Sequence, residues 1–138
     1  MTYADYITDS LRLIGVIMQT ESADADQGAH AIGILNDMMA EWAADGIRVG
    51  YVPSETTSDD LSLHTSVRSA VKANLAMRLC PNYERNPSAV LVAMAQGGYD
   101  SLLLQASIDA AEEASLRNVP RGTGNLGYGF NINTGLIE

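Results

Sequence analysis

Cysteine occurs once in the 138 residues, at Cys80, so no internal disulfide can form. A catalytic thiol needs a base nearby, and the only histidines are His30 and His64. Lying in a helix-like stretch just ahead of Pro81, Cys80 reads as a buried small hydrophobe. No window approaches the roughly 18 uninterrupted apolar residues of a membrane span. Met1 to Asp5 lacks the basic region and apolar run of a signal peptide, so the expectation is a cytoplasmic product with no membrane partner. Positive charge is scarce as well, with 8 Lys and Arg against 17 Asp and Glu and a net charge of −9. Residues 1–60 carry 11 of the acids and 2 of the bases, whereas residues 61–138 carry 6 of each. A face built from the first half repels phosphate backbones, which argues against a DNA-gripping protein. Simple solubility accounts for the same acidity.

The residues that are present suit one folded domain. Hydrophobic residues make up 46% and charged residues 18%, enough for a single core. Four helical stretches can be drawn. The first runs from about Tyr3 to Ile17, with Thr2 as N-cap and Asp5 in its first turn. Tyr6, Ile7, Leu11, Ile14 and Met18 recur along it at helical spacing. The second starts from a Ser22 cap and stops at Gly46, with Gly28, Ile32, Leu35, Met39 and Trp42 on one stripe. The third spans Ser66 to Leu79, capped by Thr65 or Ser66 and stopped by Pro81. The fourth runs from Ser88 to about Leu116. Gly97 and Gly98 sit inside it at a cost of about 1 kcal/mol each, which implies a kink or a close helix crossing. Between the second and third helices, Ile47, Val49 and Tyr51 alternate with Arg48 and Gly50, the pattern of a short strand or hairpin. At that length the connection reads as a projection with a task of its own.

The final residues differ in character. From Asn118 onward there are five glycines and four asparagines, with Tyr128, Phe130, Ile132, Leu136 and Ile137 among them. Ordering one residue costs about 1–2 kcal/mol, so such an arm gains order only against something large. A partner accepting it as an added strand or a groove-bound ribbon fits. The expected organisation is therefore an all-α four-helix bundle over residues 1–117, with a short extended or hairpin segment between helices 2 and 3. An extended glycine-rich arm over 118–138 completes it.

Candidate chemistry is thin. Gly122-Thr123-Gly124-Asn125-Leu126-Gly127 matches G-x-G-x-x-G, but a helix precedes it and no helix follows, so no cofactor is expected. His30, Asp24 and Asp26 lie within two turns with no second cluster to close a shell, so a metal is not expected. Glu112-Glu113 and Asp59-Asp60 are adjacent and splay apart instead of sharing a proton, and nothing in the sequence points to a hydrolytic pair built from acids distant in sequence. Asp37, Glu41 and Asp45 stand at successive i+4 steps on the second helix, where like charges repel. Arg68, Lys72 and Arg78 on the third helix are the expected counterparts, within one subunit or across a subunit boundary.

Three segments carry a family likeness. They are Leu11-Arg12-Leu13-Ile14-Gly15-Val16, the run AIGILNDMMAEWAADG from Ala31 to Gly46, and Ala73-Asn74-Leu75-Ala76-Met77-Arg78-Leu79-Cys80-Pro81. In order and spacing the chain resembles the head-to-tail adaptors of short-tailed bacteriophages, also called packaged-DNA stabilisation or tail accessory factors. That resemblance implies a non-enzymatic subunit in a ring of twelve copies beneath the portal protein. The ring extends the DNA channel, retains the genome and offers a platform to the tail knob, nozzle or needle protein. It further implies a place in the virion neck after assembly in the host cytoplasm, and a C-terminal segment that reaches the portal. The loop between the second and third helices is shorter here than in many relatives. The rival readings are a virion-associated peptidoglycan hydrolase and a non-viral helical interaction module.

Overall fold

The computed structural model describes residues 1–117 and, beyond them, the paired backbone of two short strands. The elements are α1 (Tyr3–Leu13), α2 (Ala25–Ala44), α3 (Thr65–Leu79), a 3-10 turn (Cys80–Tyr83), α4 (Ala89–Arg117), β1 (Phe130–Asn131) and β2 (Leu136–Ile137). The regular elements among the described residues are helices apart from that one strand pair, consistent with the all-α reading. The chain divides into two compact units, Met1–Ser107 and Ile108–Glu138. Within the second, Phe130 lies opposite Ile137 and Asn131 opposite Leu136 in antiparallel register. Tyr128, Ile132 and the 122–127 glycine motif lie outside the described residues.

In the first unit, α1, α2 and α3 share one core. Tyr6, Ile7 and Leu11 of α1, Leu35 and Met38 of α2, and Val71, Leu75 and Leu79 of α3 are fully enclosed. Two helix ends are closed by the same device. At Gly15 (φ +71°) the amide donates to Arg12 O and the next amide, Val16 N, to Leu11 O, each at 3.1 Å. At Gly46 (φ +93°) the amide donates to Ala43 O, and Ile47 N reaches Trp42 O at 2.9 Å. Left-handed backbone at that position favours glycine, and the paired bonds satisfy carbonyls the helix leaves orphaned. The first helix therefore stops at Leu13 rather than continuing to Ile17. At the other ends, Thr2 and Asp5 form a capping box on α1, as expected for Thr2. Asp24, with Gln27, caps α2 in place of Ser22, and His64 caps α3 in place of Thr65 or Ser66.

The connection from α2 to α3 contains neither a hairpin nor a strand, which corrects the sequence reading. The alternating Ile47, Val49 and Tyr51 pack against the core. Farther along, Leu61 and Leu63 are buried. Instead of pairing with itself, the segment serves the start of α1. Tyr3 N donates to Asp59 O (3.1 Å) and Ala4 N to Thr57 O (2.9 Å), and Thr2 bridges Asp60. These carbonyls take helix-start amides that have no intrahelical acceptor. The length of the segment is used for capping and burial rather than projection.

α4 meets α3 through small residues. Leu91 and Ala95 pack with Ala73 and Ala76, and Asn74 Nδ2 donates to Ala95 O at 3.0 Å. A β-carbon placed on Gly98 would lie 2.7 Å from Ala70 Cβ and 3.0 Å from Ala70 Cα, whereas one on Gly97 meets nothing within 4 Å. Of the glycine pair, only Gly98 serves the close crossing. Gly98→Ala is expected to lose about 1–3 kcal/mol by overpacking, partly offset by helix propensity. Gly97→Ala is expected to gain up to about 1 kcal/mol. Urea unfolding of the two variants, followed by circular dichroism, checks the opposite signs.

Candidate functional site

Charged residues of α2 and α3 were the candidates for contacts between copies, beside the C-terminal arm expected to meet a partner, and most of that charge is engaged inside the chain. Arg78 Nη2 pairs with Glu41, joining α3 to α2. The Arg78 guanidinium holds the Glu41 carboxyl below the usual carboxylate range, first by its hydrogen bond and then by its charge. Lys72 Nζ reaches Asp9 Oδ2 at 2.6 Å and lies 5.7 Å from the centre of the Tyr6 ring. Asp9 also accepts from Arg12 at 3.3 Å, so one carboxylate of α1 serves two cations. Arg68 Nε donates to Leu63 O at 3.0 Å, and Asp45 accepts from the Tyr99 hydroxyl at 2.7 Å. Thus Glu41, Asp45, Arg68, Lys72 and Arg78 all have partners within the chain. Asp37 stands exposed on α2. The two helices chosen as charge counterparts meet through one ion pair, Glu41 with Arg78.

The residues weighed for chemistry do not converge. Asp24 is occupied as a cap, accepting from Gln27 N at 2.8 Å, and His64 caps α3 through Nδ1 at 3.3 Å from Ser66 N. Among the described residues no three His, Cys, Asp or Glu side chains stand close enough to hold a metal ion. Cys80 is buried, and burial pushes its thiol pKa up, away from the thiolate a nucleophile needs. No described helix is long and apolar enough to cross a membrane.

What the sequence did not point to is a cleft beside α2. It measures about 280 Å³ and lies between Met39, Ala40 and Ala43 of α2 and the chain from Ile47 to Pro53. Its wall is built by an aromatic relay. The Tyr51 hydroxyl donates to Asn36 Oδ1 at 2.5 Å, the Asn36 amide donates to Ser54 O at 2.9 Å, and the Tyr3 hydroxyl donates to Val52 O. Tyr3 and Tyr51 meet edge to face, 5.9 Å between ring centres. Arg48 lies on the lining, exposed and without a hydrogen-bond or ion-pair partner among the described residues. The available signal was Asn36, a polar residue next to the apolar stripe of α2, together with two tyrosines 48 residues apart. Their union depends on the path of the connection, which periodicity does not reveal.

A second group of unpartnered side chains lies along α4. Among its large apolar residues, Val90 is 70% exposed, Met94 44% and Leu104 63%. Scattered apolar residues are normal on a surface, but this helix carries more than any other described element. Its sequence periodicity marked Leu91, Met94, Ala95, Leu102, Leu103 and Ile108 as one set. The structure separates them, burying Leu91 and Ala95 while leaving Met94, Leu103 and Ile108 exposed.

Burial raises the pKa of Tyr3, Tyr6, Tyr51 and Tyr83, and the hydrogen bond to Asp45 raises that of Tyr99. A phenol whose folded pKa is raised contributes stability that is complete below its unfolded value of about 10 and is lost as pH climbs through the folded value. Urea midpoints are expected to hold steady to about pH 9 and fall above about pH 10. In Tyr51→Phe the fall should be shallower. At neutral pH that variant should lose about 1 kcal/mol, because Asn36 Oδ1 is left without its donor. Denaturation curves at stepped pH, with phenolate absorbance recorded in parallel, check both.

The family model described as P22 tail accessory factor matches residues 1–133.

Proposed function

The chain belongs to the P22 tail accessory factor family, structural proteins of the phage tail, and from that premise we propose that it is a head-to-tail adaptor subunit. The match over residues 1–133 is the observation that carries this reading. Twelve copies form a ring beneath the portal, extend the DNA channel, keep the packaged genome in place and present a platform to the tail knob, nozzle or needle protein. The protein resides in the virion neck and is assembled in the host cytoplasm. It performs no catalysis and takes no cofactor.

Several physical features support the reading. A conduit must let DNA slide, and each phosphate neutralised by a cation adds grip through counterion release. A net charge of −9 keeps that grip low. Four of the eight cations, Arg12, Arg68, Lys72 and Arg78, are further occupied by partners inside the subunit. Symmetry then does what single contacts do not. Weak contacts repeated around a closed ring add up to a tight assembly.

The portal contact falls to the C-terminal arm, residues 118–138. Tyr128, Phe130, Ile132, Leu136 and Ile137 supply its apolar groups, and the arm gains order by joining the partner as a strand or ribbon. Asp37, Glu41, Asp45, Arg68, Lys72 and Arg78 remain candidates for contacts between copies. Five of them must share that role with the internal partners described above.

The isolated protein is expected to sediment as a monomer and to assemble when portal is supplied. A stable ring formed without portal counts against this order of events. Deleting residues 128–138 should abolish portal binding and leave the helical circular dichroism intact. Survival of binding in that deletion removes the arm from the mechanism.

A further inference from the structure

Two features of the first unit have complementary shape and charge. Along α4, Val90, Met94, Gly97, Ser101 and Leu104 follow one another at steps of four, three, four and three residues. That spacing averages 3.5 residues and places all five on a single stripe. All five are exposed, whereas Leu91, Ala95 and Gly98, on another face, pack toward α3. Within Ala89–Ser107 the one charged residue is Asp100, next to the stripe. The stripe is therefore an uncharged ridge with a carboxylate at its flank and small residues at its middle.

The α2 cleft is the counterpart in every respect. Its floor of Met39, Ala40, Ala43, Val49 and Pro53 is apolar and small-featured, and its free charge is the cation Arg48. At about 280 Å³ it falls just below the 300–1,000 Å³ typical of small-molecule sites and suits a side chain or two from a neighbour. One subunit does not fill its own cleft with its own ridge, since the ridge is exposed in the described structure. On α2, Asp45 meets Tyr99 of α4. Ala43, two residues away and so far round the helix, lines the cleft.

We infer that the α4 ridge of one copy, centred on Met94 and Leu104, seats in the α2 cleft of the next copy, with Asp100 facing Arg48. A self-paired ridge would bring Asp100 toward its own copy with no cation to meet it. Ridge into cleft pairs opposite charges and uses two different surfaces of the same chain. Such a head-to-tail contact propagates and closes into a ring when its rotation permits. The inference rests on the ring reading above and specifies which surfaces the copies use.

The test places p-benzoylphenylalanine at Leu104, whose exposure makes the exchange harmless to the fold, and mixes that protein with nitrogen-15-labelled wild type in the presence of portal. After irradiation, crosslinks to labelled peptides are mapped by mass spectrometry. They are expected within residues 36–53 of the labelled copy. Crosslinks confined to α4 of the labelled copy, to portal alone, or absent from a sedimenting oligomer overturn the contact and leave the ring reading intact. Arg48→Glu, at an exposed position, should weaken association of copies at least tenfold with an unchanged circular dichroism spectrum. Undiminished association of that variant also overturns the contact. Wild-type protein that stays monomeric both with and without portal brings down the ring reading itself, and this contact with it.

Discussion

An eleven-residue helix in water does not hold together by itself, because nucleating a helix is costly and isolated helices below about 12–15 residues are marginal. α1 is such a helix, and its existence is tied to the segment joining α2 to α3. The carbonyls of Thr57 and Asp59 take the amides of Ala4 and Tyr3, and the apolar side of α1 is covered by α2, α3 and the buried Leu61 and Leu63. The same segment begins with the buried Ile47, whose amide donates to Trp42 O, and continues through Tyr51, whose hydroxyl donates to Asn36. One stretch of chain without regular structure thus couples the start of α1 to the end of α2. The rest of the first unit, including the cleft, follows from how that stretch is held.

Features that depend on neighbours in sequence could be read in advance. Thr2 and Asp5 are three residues apart, so their capping box is a local matter, and Gly46 announces the end of α2 by the backbone shape it permits. Cys80 could be placed inside on its residue type alone. Gly15 does for α1 what Gly46 does for α2, yet apolar residues continue past it through Val16 and Ile17, and the periodic signal ran on. The alternation at Ile47, Val49 and Tyr51 was genuine, but it reflects side chains laid against a helix rather than a ladder to another strand. Distinguishing the two requires knowing what lies beneath, which is a tertiary fact. The family likeness was legible because it rests on the order and spacing of three short segments between Leu11 and Pro81, and the match over residues 1–133 agrees with it.

Charge in this subunit is spent mostly at home. Asp9 neutralises both Arg12 and Lys72, and Glu41 neutralises Arg78, so three side chains that the sequence offered as contact formers, Glu41, Lys72 and Arg78, instead fasten helix to helix. The exposed pair, Arg78 with Glu41, contributes little to stability. The larger effect of these pairs is on what the surface offers to others. With those cations paired inside the chain, the described surface presents mainly carboxylates and exposed apolar side chains.

The enclosed position of Cys80 has a practical side. Its thiol is shielded and its pKa raised, so maleimide reagents at neutral pH will react slowly there. A second cysteine introduced on open helix surface could then carry a fluorophore selectively without first deleting the native one. Distances from that position would become readable in a protein otherwise unaltered.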